Sequence, residues 1–411
     1  MKRLVVVGAS LAGLRAVEAA RKQGCTGELV LIGDEAHLPY DRPPLSKGYL
    51  NRTQESVVFR TEEVLRDELK VDLRLGVAAT GLDPIARVVQ TSAGPVAYDA
   101  LIIATGARAR MLPGVPAGLR GVHLLRTLDD ADAVRAGLDA GARVVVIGAG
   151  FIGSEIAAAA VTRGLNPTLV EALPTPLVRA VGQEVGEQLA TLHRRKGLDL
   201  RTGVGVAAIE GEGSQVARVR LSDGTVLAAD LVVLGIGAIP NTEWLQDSGL
   251  TLDNGVVCDA TMRAADGVYA AGDVVRWENG LFAQSMRLEH WTSAAEQAAT
   301  AVRNALSPDS PRAYETVPYF WSDWYDVRVQ FVGVPEADET LVVEGDLATG
   351  DRLTVLYRLG DRLNGVLTVN GQADIMKYRR MIGQRATWAQ GLEFAAERRA
   401  MREAKAVAHA Q

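Results

Sequence analysis

Cysteine is almost missing from this chain of 411 residues: Cys25 and Cys258 are the two present, far apart and in no CxxC or CxxxxC pattern. That usage fits a reducing cytoplasm, and both thiols read as structural or unreactive. The five histidines (His37, His123, His193, His290 and His409) share no metal-ligand spacing with the cysteines or with one another, so no metal is expected. A basic excess is missing too, since the formal net charge is −6, which argues against a nucleic-acid partner. Met1-Lys2-Arg3 imitates a leader, yet only about five apolar residues follow before Gly8, against roughly 7 to 15 in a signal peptide, so the mature chain is expected to start here. Residues 144–161 approach the length of a membrane span. Glu155 and three glycines interrupt them, and a buried strand followed by a helix explains the run without a membrane.

What the chain does contain is two glycine-rich turns, Gly8-Ala9-Ser10-Leu11-Ala12-Gly13 and Gly148-Ala149-Gly150-Phe151-Ile152-Gly153. Each follows an apolar run (4–7 and 144–147) and precedes a helix-like stretch. Such a turn aims the first amides of a helix at a pyrophosphate, where free N–H groups and the helix dipole favour negative charge. The first glycine permits the tight turn, the second admits the phosphates and the third lets helix and strand pack closely. Ser10 replaces the second glycine of the first copy, so close approach there must tolerate a hydroxymethyl group. Each turn is followed by a second strand and an acid: 29–32 before Asp34, and 167–170 before Glu171. These acids are expected to bind ribose hydroxyls. Glu171 accepts from a free 2′-hydroxyl and repels a 2′-phosphate, and Ala172-Leu173-Pro174 bring no compensating cation, so NADH is expected over NADPH.

The composition supports two or three domains with real cores. We expect a discontinuous first domain at 1–114 and 246–317, because Val268-Tyr269-Ala270-Ala271-Gly272-Asp273 reads as a late strand returning to the first unit. An NADH-binding domain is expected at 115–245, with a helix from Ile152 capped at Gly164. A helix from Trp291 to Leu306 then leads to a C-terminal α+β domain at 318–411, with strands at 327–332, 341–344, 353–358 and 365–369. The Ala- and Arg-rich end, 394–411, reads as a helix and then a frayed tail.

Two dinucleotides in one polypeptide make sense when a resident flavin takes hydride from a visiting nicotinamide. Several motifs sharpen this: Pro39-Tyr40-Asp41-Arg42-Pro43-Pro44-Leu45-Ser46-Lys47, Ala104-Thr105-Gly106, Arg126-Thr127-Leu128-Asp129-Asp130-Ala131, Gly150-Phe151-Ile152-Gly153-Ser154-Glu155, Ala271-Gly272-Asp273 and Phe320-Trp321-Ser322-Asp323. Together they resemble the FAD-dependent ferredoxin reductases of oxygenase systems, the putidaredoxin reductase family, over almost the whole chain. Apoptosis-inducing factor is similar in the same motifs. The resemblance implies an α/β fold of two Rossmann-like, glutathione-reductase-like dinucleotide-binding domains plus the C-terminal α+β domain. It implies FAD on Leu11, Ala12, Gly13, Asp34, Arg42, Lys47, the backbone near Ala79, Arg126, Asp273 and Trp291. It implies NADH on Gly150, Phe151, Ile152, Gly153, Glu155, Glu171, Gly237 and Glu289, with Trp321 near the rings.

Within that frame Lys47 would hold a cation beside the flavin N5 edge, and Glu155 would pair with it and orient the nicotinamide carboxamide. The helix starting near Trp291 would aim its positive end at the flavin carbonyl edge. Lacking a dithiol, the flavin would serve its acceptor directly, and the acceptor the resemblance implies is a small [2Fe-2S] ferredoxin feeding a monooxygenase or dioxygenase. Arg287, Arg303, Arg328, Lys377, Arg379 and Arg380 are candidates for a basic docking patch. An NADH oxidase or rubredoxin reductase on the same scaffold, and a slow redox-sensing flavoprotein, are the alternatives; monomer and homodimer both stay open.

Overall fold

Arg3–Val7 and Val144–Ile147 lie inside two parallel sheets, and their uninterrupted Val, Leu and Ile reflect burial on both faces. The computed structural model describes residues 1–410, with side chains through Lys405. The chain divides into two units. The first comprises Met1–Asp41, Ser56–Arg108 and Ala238–Thr316, and the second Arg42–Glu55, Ala109–Gly237 and Val317–Gln411.

In the first unit the six-stranded sheet runs Arg263–Ala265, Val268–Ala270, Ala100–Ile103, Arg3–Val7, Glu28–Ile32, Val71–Arg74. All neighbours are parallel except the short edge strand Arg263–Ala265. Val268–Ala270 pairs with Ala100–Ile103, so the chain does return to this sheet late in sequence. Helix Leu11–Lys22 packs against helix Trp291–Leu306. A small antiparallel sheet, Ala79–Asp83, Val88–Thr91 and Val96–Ala97, also lies in this unit.

The second unit holds a five-stranded parallel sheet, Asp199–Thr202, Thr168–Glu171, Val144–Ile147, Leu231–Leu234, Val122–His123. Its fingerprint helix spans Phe151–Thr162, and Gly164 follows at φ +78°. The C-terminal residues form a five-stranded antiparallel sheet in the order Tyr319–Trp324, Val327–Gly333, Arg362–Val369, Leu353–Leu359, Glu339–Gly345. This sheet shares one core with the Rossmann helices: Ala158, Val185, Leu189 and Leu192 pack in the same cluster as Phe320, Trp324, Phe331 and Tyr357. Full burial of each large apolar side chain stabilises by about 1.5–3 kcal/mol, so the cluster binds the two parts into one unit.

The segment 42–55, expected inside the first domain, groups with the second unit, where Tyr49 donates to Asp132 (2.7 Å) and Arg163 donates to the Leu50 carbonyl. Helix Trp388–Ala410 starts earlier than expected, and Gln411, the end of the expected tail, lies outside the described residues. Among the described residues no helix is long and apolar enough to cross a membrane.

Candidate active site

Each glycine turn is built by the strand before it. Gly8 (φ +115°) and Gly148 (φ +98°) take a conformation L side chains avoid, and their amides donate to the Ile32 and Val170 carbonyls, each at 2.7 Å. The third glycines are sterically compulsory. A Cβ on Gly13 would sit 1.8 Å from the Gly8 carbonyl oxygen, and one on Gly153 would sit 1.8 Å from that of Gly148. At the second position the constraint disappears: a Cβ on Gly150 would meet only the Gly235 carbonyl, at 3.7 Å. Ser10 gives no side-chain cap to its helix and Gly150 has none to give, so neither cap side chain satisfies the first amides, and a helix start of that kind favours an anion such as a pyrophosphate.

The acids differ between the two turns. Glu171 is the last residue of its strand, and its carboxylate folds back on the loop, taking the Ala149 N–H on Oε2 (2.7 Å) and the Leu173 N–H on Oε1 (2.8 Å). Each oxygen keeps capacity for a further donor such as a ribose hydroxyl. By register the equivalent residue of the first unit is Gly33, not Asp34, and a Cβ there would lie 2.5 Å from that of Ala9. The expected parallel between the acids therefore breaks: Asp34 sits one residue further on, exposed, its Oδ1 accepting from the Glu35 amide (3.1 Å). Glu35 accepts from the Tyr40 hydroxyl. It is a second carboxylate at this strand end that the sequence pattern did not single out.

The most concentrated polar chemistry lies in the second unit. Pro43–Ser46 forms a single 3₁₀ turn, with the prolines at its start where a missing N–H costs nothing. The turn presents Ser46 and Lys47 to Glu155, which lies on the second fingerprint helix. Glu155 is buried, with 3 % of its surface exposed, yet its carboxylate is surrounded by donors. Oε2 accepts from Lys47 Nζ at 2.7 Å and from the Ser46 hydroxyl. Oε1 accepts from Ser322 Oγ at 2.6 Å, with the Asp323 amide at 3.4 Å. The expected Lys47–Glu155 pair is thus formed. The sequence motifs assign no role to Ser46 or Ser322; the signal for Ser322 is a serine between Phe320 and Trp324 on the inward face of an alternating strand.

Trp321, on that same strand, points to the opposite face and stacks on Tyr319, with ring centroids 5.7 Å apart. Gly237 is exposed at φ +104°. Arg42 donates to the Arg126 carbonyl at 2.5 Å, so these two are brought together at the start of helix Leu128–Asp139, which a Thr127–Asp130 capping box closes. Of the FAD set, Leu11, Ala12, Gly13, Asp34, Ala79, Asp273 and Trp291 belong to the first unit and Arg42, Lys47 and Arg126 to the second; of the NADH set, Glu289 alone is in the first. In the first unit Trp291 donates from Nε1 to Asp41 (2.9 Å), and the Asp273 carbonyl accepts from Arg287, which also pairs with Glu289. Arg328 is held by Asp323 and Arg379 by the Val317 carbonyl, which leaves Lys377 and Arg380 as the exposed cations of helix Gln372–Gly383 among the basic candidates of the second unit. Both cysteines are buried, and burial pushes the Cys258 thiol up to about 12, far from a reactive thiolate.

Comparison with known proteins identifies the family. Residues 2–298 match the family described as pyridine nucleotide-disulphide oxidoreductase, and residues 319–406 match that described as Reductase C-terminal. Rhodocoxin reductase of Rhodococcus erythropolis is 37 % identical over 383 residues, 92 % of this chain and 89 % of that protein. The ferredoxin–NAD(+) reductase component of the anthranilate 1,2-dioxygenase system of Burkholderia cepacia is 39 % identical over 92 % of this chain and 93 % of its own. The reductase in the crystal structure of the covalent putidaredoxin reductase–putidaredoxin complex superposes with a TM-score of 0.89 at 36 % identity, covering 93 % of both chains.

Proposed function

The chain belongs to the pyridine nucleotide-disulphide oxidoreductase family, and from that premise we propose that it is an NADH-dependent ferredoxin reductase, supplying electrons to a monooxygenase or dioxygenase through a small [2Fe-2S] ferredoxin in the cytoplasm. The observation that carries this reading is the Lys47–Glu155 pair beside the second of two nucleotide turns, in a chain whose two cysteines are buried and stand in no dithiol motif. FAD, when bound, accepts two electrons as hydride and releases them singly, which is what a two-electron donor and a one-electron carrier require of an intermediary. The residues supply the rest. Gly8 to Gly13 with the helix at Leu11 would hold the FAD pyrophosphate, Asp34 its ribose, and Asp273 and the helix beginning at Trp291 its far end. Gly150 to Gly153 would hold the pyrophosphate of NADH, with Gly237 in the same unit completing its site. Glu171, already fixed by two backbone amides, would accept from the 2′-hydroxyl and repel a 2′-phosphate. Within the second unit Glu155, bonded to the Lys47 ammonium, would hold the carboxamide of the nicotinamide.

The test is anaerobic titration of the yellow holoenzyme with NADH, then steady-state reduction of cytochrome c with and without a [2Fe-2S] ferredoxin. Bleaching by one equivalent of NADH, cytochrome reduction only with the ferredoxin, and a kcat/KM at least about tenfold higher for NADH than for NADPH are expected. Turnover with oxygen as fast as with ferredoxin would instead make the protein an oxidase.

A further inference from the structure

The geometry points to Ser322 as a positioning residue for Glu155, with its own hydroxyl set by Trp324. The proposal rests on Glu155 handling the nicotinamide end of NADH.

An indole N–H is a donor only. Trp324 Nε1 donates to Ser322 Oγ at 2.8 Å, so the serine accepts there and its single proton is left for Glu155 Oε1, 2.6 Å away. The indole is itself immobile: fully buried, it stacks on His193 with centroids 4.3 Å apart and planes 23° apart, and His193 Nδ1 is 2.8 Å from the Tyr325 hydroxyl. The tip of the hairpin carrying Ser322 is tied to the end of helix Gln183–Arg195, which bears His193, since its C-cap residue Lys196 binds Asp326 at 2.6 Å. One oxygen of Glu155 is therefore committed to the hairpin and the other to Lys47 and Ser46. The terminal torsion of a glutamate is broad and nearly two-fold, so a carboxylate held by one oxygen samples a range of planes. Held by both, it has one. Ser322 thereby fixes the plane of the Glu155 carboxylate, and with it the place of the Lys47 ammonium.

The experiment compares Ser322→Ala, Trp324→Phe, Glu155→Gln and the Ser322→Ala/Glu155→Gln double variant as FAD-loaded enzymes. Binding of NAD⁺ and of ADP-ribose, which has no nicotinamide, is measured by calorimetry, and flavin reduction at saturating NADH by stopped flow. Ser322→Ala is expected to weaken NAD⁺ about 5-fold with ADP-ribose unchanged, and to slow flavin reduction about 10-fold, as small misplacements at reacting centres do. Trp324→Phe, which keeps the serine but frees its hydroxyl, should show a smaller loss of the same kind and carries the test if Ser322→Ala fails to fold. The double variant should be no worse than Glu155→Gln, because the two residues act through one carboxylate. Losses that add, or an equal loss of ADP-ribose, would make Ser322 a structural residue and overturn the proposal. So would a normal Ser322→Ala beside a damaged Glu155→Gln, which leaves the reading of Glu155 standing. Glu155→Gln with undiminished NAD⁺ binding would remove that reading and the proposal together.

Discussion

The two nucleotide turns agree at the first and third glycines and differ at the second glycine and at the acid. Gly13 and Gly153 face the same 1.8 Å contact, and Gly8 and Gly148 share the same left-handed backbone. The second position, where the protein itself leaves room, is Ser10 in one and Gly150 in the other. The acid has diverged furthest. Glu171 is part of its own loop, bonded to Ala149 and Leu173, whereas the first unit closes the same corner by pressing Gly33 against Ala9 and moves its acids outward. Fold demands conserve geometry between the halves, and ligand demands have been free to separate them.

Substitution at the third glycine tests the shared part and carries the largest effect. Gly13→Ala should yield a colourless protein, while Gly153→Ala should stay yellow and bind NADH about 100-fold more weakly, near 2.7 kcal/mol. Flavin absorbance on purification and NADH titration read the two outcomes, and the same defect from both substitutions would break the assignment of one turn to each nucleotide.

Next in size is an acid response lodged in the second unit. Burial holds the His193 imidazole down at about 3, against 6.5 when exposed. Below 6.5 the unfolded chain takes up a proton that the folded chain refuses, so this contribution is complete above that pH and is lost as pH falls toward 3. Urea unfolding should show about 2 kcal/mol of stability lost between pH 7 and pH 5 through this group. His193→Phe, which keeps the stack on Trp324, should remove that share of the slope.

The smallest effect probes the divergent position. Gly150→Ser should leave the thermal midpoint unchanged and raise the KM for NADH about 5-fold, roughly 1 kcal/mol. Ser10→Gly should alter FAD retention less than that. A fall in thermal midpoint with Gly150→Ser would show that the room seen beside Gly150 is needed by the fold as well.

Much of this architecture was legible. Both fingerprints, the late return of 268–270 and helix Trp291–Leu306 follow from apolar runs bounded by glycine, acid or proline, signals that depend on neighbours in sequence. The strand Tyr319–Trp324 escaped because its inward face reads Phe, Ser, Trp, and the serine breaks the apolar alternation for a reason, Glu155, that lies 167 residues away. Gly33 escaped because its role is set by the Cβ of Ala9, and spacing alone placed the acid one residue off the strand register. The grouping of 42–55 with the second unit was likewise invisible, since it rests on Lys47, Tyr49 and Leu50 meeting Glu155, Asp132 and Arg163.

The core shared by helix Gln183–Arg195 and the antiparallel sheet has a practical corollary for protein engineering. Residue 318 is a seam on paper, yet cutting there would strip Leu189 and Leu192 of their aromatic neighbours and tear His193 from Tyr325. A chimera borrowing a relative's C-terminal module to change its electron acceptor must import the matching helix surface too, or the graft arrives with its adhesive left behind.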